Sequence, residues 1–235
     1  TKNHDSWFRT FFGSALARAC LAPINCRLAA AEIAFILDDA RPKILFVGED
    51  LFNCALEAVA DLAAPPRLIT LYGSHPGFET FDDWLADAPT SPPEDSPQLG
   101  DDVLQLYTSG TTGRPNNEDE TVMIVMPLFH VAGTNVAFSG LAQGGRLLLV
   151  REFSASDSIR LMTEENVAHA FLAPAMIQMM LQEPAASDSH YPALRSIAYG
   201  ASPIAEDVLQ RAQATFGCDF VQFYGMTESS GGGST

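Results

Sequence analysis

Lys43-Ile44-Leu45-Phe46-Val47-Gly48, then an amphipathic stretch over residues 50–62, then Arg67-Leu68-Ile69-Thr70-Leu71, is the part of the chain that decides its fold class. Neither apolar run shows the in–out alternation of a half-exposed strand, so each predicts a strand covered on both faces. Two such strands joined by a helix make the repeating unit of a parallel sheet. Upstream, residues 5–19 read as a helix with Asp5 or Ser6 as cap and Phe8, Phe11, Phe12, Ala15 and Leu16 on one face. Residues 21–24 read as a short strand, and 29–40 as a helix with Ile33, Ile36 and Leu37 inward. The expected class is α/β, with mostly parallel sheets covered by helices.

Downstream, residues 87–102 hold Pro89, Pro92, Pro93 and Pro97 among five acidic residues. They read as a surface connection, because proline removes ladder donors and breaks helices. The alternation then resumes. Strands are expected at 103–107, 121–126, 146–150, 167–172, 195–198 and 219–222, and helices at 131–142, 155–165, 175–182 and 203–216. For the last helix Ser202 reads as N-cap, Pro203 as the first position, Glu206 and Asp207 as the first turn, and Gly217 as the stop. This gives two αβ sub-domains, 1–86 and 103–235, flanking the 87–102 connection.

Composition narrows the function classes. With 235 residues, 47% hydrophobic and 18% charged, the chain has material for a real core and is not a disordered or fibrous sequence. Its formal net charge of -16 opposes a phosphate backbone, so no nucleic-acid partner is expected. No apolar run reaches the ~18 residues of a membrane span. The four cysteines form no CxxC pair, which suits free thiols in a reducing, cytoplasmic compartment. The five histidines lack zinc spacing. The chain starts at Thr1 with neither Met nor a signal peptide, and reads as a partial chain.

Three segments carry chemistry. Tyr107-Thr108-Ser109-Gly110-Thr111-Thr112-Gly113-Arg114-Pro115 follows an apolar strand and packs hydroxyls and glycines into one turn. Glycines let successive N–H groups point into one concavity, and hydroxyls add donors, so such a loop can hold phosphate oxygens. It is not a Walker loop, and a plain Ser/Thr/Gly turn is the competing reading. Tyr224-Gly225-Met226-Thr227-Glu228 follows the last strand, where an open α/β sheet places its ligand. There Tyr224 could stack on a base, Thr227 donate to a phosphate and Glu228 hold Mg²⁺. Tyr199-Gly200-Ala201-Ser202-Pro203 is a strand end with a close turn.

Together these segments resemble the signature motifs of the adenylate-forming superfamily, which holds acyl-CoA synthetases, beetle luciferases and peptide-synthetase adenylation domains. Met126-Pro127-Leu128-Phe129-His130-Val131-Ala132-Gly133 is similar to the family's acyl-pocket segment. The resemblance spans nearly the whole chain. It implies two stacked αβ sub-domains of the family's N-terminal domain, and attack of a carboxylate on the α-phosphorus of ATP to give an acyl-adenylate. Coenzyme A thiol would then displace AMP. By position, Thr108, Ser109, Gly110, Thr111, Thr112 and Gly113 would wrap the β- and γ-phosphates. Gly200, Ala201 and Ser202 would line the adenine pocket, with Tyr224, Gly225 and Met226 against the nucleotide. Thr227 would bond the α-phosphate, Glu228 would ligate Mg²⁺, and His130 would meet the incoming carboxylate, with a packing histidine as the competing reading.

The segment 129–133 lacks the Asp that would pair a substrate ammonium, so an amino-acid substrate is disfavoured. The apolar stretch 171–181 suits an acyl chain, or is simply core. A fatty or other apolar acid is the expected substrate, with a homodimer as the assembly to test. Two departures from the family pattern stand out. The Lys-Gly pair and helix after Gly-Arg-Pro are missing beyond Pro115, as if a loop were omitted, and the chain stops at Thr235 before the ribose-binding Asp and the C-terminal domain with its lysine. Taken literally, the chain would bind ATP with little or no turnover. The alternatives are therefore a truncated nucleotide-binding module, or another branch such as an adenylation domain or a luciferase.

Overall fold

A computed structural model describes residues 2–91, 93–105 and 120–225. The chain divides into two compact units, residues 1–107 and 108–235, and the proline-rich acidic stretch falls within the first.

The first unit contains α1 (Ser6–Leu16), α2 (Ala30–Ala40), β1 (Ile44–Gly48), a 3-10 turn at Glu49–Leu51, α3 (Phe52–Val59), β2 (Arg67–Tyr72), β3 (Glu79–Thr80) and α4 (Phe81–Leu85). Its three strands pair in parallel in the order β1-β2-β3. The two apolar runs form adjacent strands because both faces of β1 find cover. Leu45 packs with Ile33, Leu37 and Ala58, and Val47 with Phe52, Ala55 and Phe78. Phe46 meets Trp84 and Phe81, with ring centroids 5.4 and 6.1 Å away. The start of α2 is closed by Glu32, whose carboxylate accepts the Ala29 N–H at 2.8 Å.

Three local expectations change. Residues 21–24 form no ladder; Leu21 makes a single bridge to Leu104. Pro23 supplies no donor to extend it. The expected strand at 103–107 is correspondingly reduced to that bridge, residues 106 and 107 lying outside the described ones. In α1, Trp7, Thr10 and Phe11 turn inward, whereas Phe12 and Leu16 stay about half exposed. An aromatic run this dense carries no 3.6-residue signal to select a face.

The segment leading out of the acidic stretch is clasped. Arg18, in the left-handed region at φ 55°, donates Nε and one terminal nitrogen to the two oxygens of Asp101, both at 2.8 Å. The Gln98 N–H adds a third bond to that carboxylate at 2.8 Å. The Arg18 hydrogen bonds and then the Gln98 amide hold the Asp101 carboxyl below its usual range. A depressed carboxylate stabilises the fold above its unfolded value, and the contribution is lost as pH falls through the lowered folded value. Acidification below roughly pH 4 should therefore speed Gln105 amide exchange relative to its intrinsic rate. Arg18→Ala should show the same acceleration at neutral pH; unchanged protection there would refute the clasp.

The second unit contains β4 (Thr121–Ile124), α5 (Val131–Ala142), β5 (Arg146–Leu149), α6 (Ala155–Glu164), β6 (Val167–Leu172), α7 (Pro174–Met180), α8 (Pro184–Asp188), β7 (Ser196–Gly200), α9 (Glu206–Phe216) and β8 (Asp219–Phe223). Its five strands, ordered β5-β4-β6-β7-β8, are all parallel. One face presents Met123, Leu172, Ile197 and Tyr199 to Ile159, Met162, Ile177 and Met180. The opposite face places Phe171, Ala198, Val221 and Phe223 with Ala132 and Val136 of α5. Ile177 and Met180 are fully buried, so within the apolar stretch 171–181 they serve as core.

The last helix begins later than its punctuation suggests. Ala205 is the extended residue before α9, and Ser202 and Pro203 precede it without capping. The reason lies at Ala201, whose φ of 68° swings the chain out of β7, so the next residues serve the return path. Gly217, at φ 63°, ends the helix as expected.

At the amino edge of this sheet sits a polar cluster. Glu120 bonds His169 Nε2 at 2.8 Å and Arg195 Nε at 2.9 Å, while the other nitrogen of His169 pairs with the Ser196 hydroxyl at 2.8 Å. Opposite a carboxylate the neutral ring carries its hydrogen on Nε2, leaving Nδ1 to accept from Ser196. The four cysteines are free thiols, and burial pushes Cys218 up to about 12, far from a reactive thiolate.

Candidate active site

In a parallel sheet every strand delivers its following loop to the same edge, where open α/β folds place ligands. The carboxyl edge of the second unit therefore gathers residues 126–133 after β4, the Ala173-Pro174 step after β6, Gly200–Ser202 after β7 and Tyr224-Gly225 after β8. Gly200 is in register with Phe223, so the turn bearing Ala201 and Ser202 lies beside Tyr224. Residues 126–133 lie farther along the edge, because β6 stands between β4 and β7.

Gly200 is needed for close approach. A Cβ there would stand 2.7 Å from the Phe223 carbonyl oxygen and 3.4 Å from the Phe171 ring. Ala201 follows with positive φ, a conformation that costs an L-residue roughly 1–2 kcal/mol and persists where its surroundings impose it. Tyr224 is exposed, its ring open to stacking. Beneath the turn, the Tyr199 hydroxyl donates to Gln222 Oε1 at 3.4 Å, and burial pushes the phenol above its ordinary value, so it stays a donor.

His130 is the N-cap of α5, its Nδ1 accepting the Ala132 N–H at 3.2 Å. The neutral ring then carries its hydrogen on Nε2. The buried Thr134 hydroxyl donates to Leu128 O at 2.7 Å and fixes the preceding turn. Gly133 permits the helix to begin against that turn, for a Cβ would stand 2.6 Å from the Met126 carbonyl and would overlap the Pro127 carbonyl. The first turn of α5 has no acidic residue, and the positive end of its dipole lies beside His130.

Thr108, Ser109, Gly110, Thr111, Thr112, Gly113, Met226, Thr227 and Glu228 lie outside the described residues. Of the expected site residues, the structure thus sets Gly200, Ala201, Ser202, Tyr224 and Gly225 together and puts His130 on the same sheet edge. The sequence marks Phe171 only as the first residue of the apolar stretch 171–181, a wall for an acyl chain or core, and marks Phe223 by no role. Their buried positions in apolar strands gave the only available signal.

Family and neighbours agree with this fold. Residues 1–116 and 115–235 match the AMP-binding enzyme family, and the chain belongs to it. The chain is 32% identical to the fatty acid–[acyl-carrier-protein] ligase ScoC of Streptomyces coeruleorubidus over 97% of its own length and 48% of that protein's. It is 30% identical to the long-chain-fatty-acid–CoA ligase FadD13 of Mycobacterium tuberculosis over 95% of its own length and 48% of the relative's. The inhibitor-bound N-terminal domain of FACL13 from Mycobacterium tuberculosis superposes with a TM-score of 0.85 at 27% identity, covering 99% of this chain and 63% of that one. The chain spans about half the length of the curated relatives it matches. Among the described residues no helix is long and apolar enough to cross a membrane.

Proposed function

We propose that this chain binds ATP and an apolar, fatty-type carboxylic acid at the carboxyl edge of its second sheet, as the nucleotide-holding part of an AMP-forming acid–thiol ligase. One observation supports the reading above others: the Gly200–Ser202 turn, Tyr224 and the His130 helix start share one edge of one parallel sheet in a chain of the AMP-binding family. The turn and Tyr224 would take the adenine. The His130 Nε2–H and the positive end of α5 would orient the acid's carboxylate for attack on the α-phosphorus, with pyrophosphate leaving. Thr108–Gly113 would hold the outer phosphates and Thr227 the α-phosphate. Coenzyme A thiol would then displace AMP from the acyl-adenylate, and a carrier-protein thiol is the second acceptor, favoured by the name of the Streptomyces relative.

Among the described residues no three His, Cys, Asp or Glu side chains converge. By its place in the family's motif Glu228 would supply the protein's share of Mg²⁺ binding, with phosphate oxygens as the other donors. Bound there, the metal would neutralise charge on the departing pyrophosphate.

Calorimetric titration of the chain with AMP and with ATP tests the reading, since absence of binding would reject it. Thr227→Ala is expected to weaken AMP by ~1–3 kcal/mol through loss of a hydroxyl–phosphate bond. Glu228→Gln should instead flatten the dependence of ATP binding on added magnesium. An unaltered magnesium titration would remove Glu228 from that role.

A further inference from the structure

We infer that Phe171 is a positioning residue that sets the separation between the nucleotide turn at Gly200 and the start of the helix bearing His130. The inference rests on the functional reading above and adds to it how the two halves of the site are held in register.

Phe171 lies in β6, the strand between β4, which leads to His130, and β7, which leads to Gly200. Its side chain sits on the α5 face of the sheet and is only 2% exposed. One end of the ring stands 3.4 Å from the point where a Gly200 Cβ would be, so the ring closes against the turn itself. Its centroid lies 6.2 Å from that of Phe223, which directly precedes Tyr224. The same buried cluster contains Ala132, whose N–H is the one that the His130 ring accepts.

A single ring thus belongs to the packing of both halves: the Gly200 turn with the Phe223–Tyr224 strand end on one side, and the first turn of α5 on the other. Protein interiors are close-packed, so shortening this side chain leaves a void that neighbours fill by shifting. The shift falls on the two segments that would meet the nucleotide and the acid.

The distinguishing experiment uses two ligands and a control. AMP occupies the nucleotide half alone, whereas a non-hydrolysable octanoyl-adenylate mimic, octanoylsulfamoyl adenosine, spans both halves. Ile197→Val removes a methylene from an equally buried residue on the opposite face of the neighbouring strand. Phe171→Leu should weaken AMP about tenfold and the mimic about a hundredfold, the size of loss produced by a misplacement near ~1 Å. Ile197→Val should lower the unfolding midpoint and leave both affinities within about twofold of the parent. Phe171→Met, closer in volume, should recover most of the mimic affinity.

If Phe171→Leu loses AMP and the mimic by the same factor, the spacer role is overturned. If it loses no more than Ile197→Val does, Phe171 is ordinary core and the inference likewise falls. If the unsubstituted chain binds neither ligand, the functional reading itself has failed. Should Phe171→Leu not fold, the Phe171→Met comparison decides alone: a residual mimic loss larger than its AMP loss supports the spacer, and equal losses or none refute it.

Discussion

Gly133→Ala should lower stability by about 3 kcal/mol or more, at the upper end of overpacking costs, and should displace His130 as it does so. The added methyl would meet backbone rather than a movable side chain: the carbonyls of Met126 and Pro127 both stand inside contact distance of its position. Backbone can yield only by moving the start of α5, and that start includes the capped His130 and the Thr134–Leu128 hydrogen bond. A urea unfolding curve gives the stability change, and the octanoyl-adenylate mimic reports the displacement through a loss exceeding that of AMP. A variant with parental midpoint and parental affinity for both ligands would show that the turn can open freely. The close packing described here would then be wrong.

Glu120→Ala is the second large effect, and it should separate cleanly from the site. Glu120 is nearly buried and ties Arg195, which precedes β7, to His169 of β6 and through it to Ser196. Removing the carboxylate leaves the His169 ring without its acceptor at the edge of the core, an expected loss of about 2–4 kcal/mol. Glu120→Gln keeps an acceptor oxygen and should lose roughly half as much. The cluster lies at the amino ends of strands whose carboxyl ends carry the site, about 13 Å away along β7. AMP affinity should therefore stay near parental at temperatures where the variant is folded. A parallel drop in binding and stability would place the two edges in one cooperative unit of function.

How much of this was readable beforehand follows from the kind of signal each feature leaves. Strands β1, β2, β4 and β6 are apolar on both faces, and composition alone announces such runs. The two-residue β3 and the five-residue helices α4 and α8 are too short to show a period, and went unseen. The start of α9 was misplaced because a Ser-Pro pair is a sound local start signal, whereas the φ of Ala201 is dictated by packing around the strand end. Within the proposed site, glycine- and hydroxyl-rich turns proclaim themselves in sequence, so Gly200–Ser202 and Tyr224 can be named as candidates from the chain alone. Phe171 cannot, since a phenylalanine in an apolar strand looks like every other core residue. The Glu120 cluster was equally silent, because its members stand 27 and 49 residues apart and meet only through strand order.

The uniform direction of the five strands has an evolutionary reading. Segments that would choose the acid and grip the nucleotide hang from one rim, while the part-buried polar ties that help hold the strands together occupy the other. Mutations at exposed positions of the upper rim leave the lower fastening untouched, so those positions can vary with little risk of unfolding. A library that randomises residues 129–130 and 201–202, sparing the buried Leu128 and Val131 as well as Gly133 and Gly200, would inherit that tolerance.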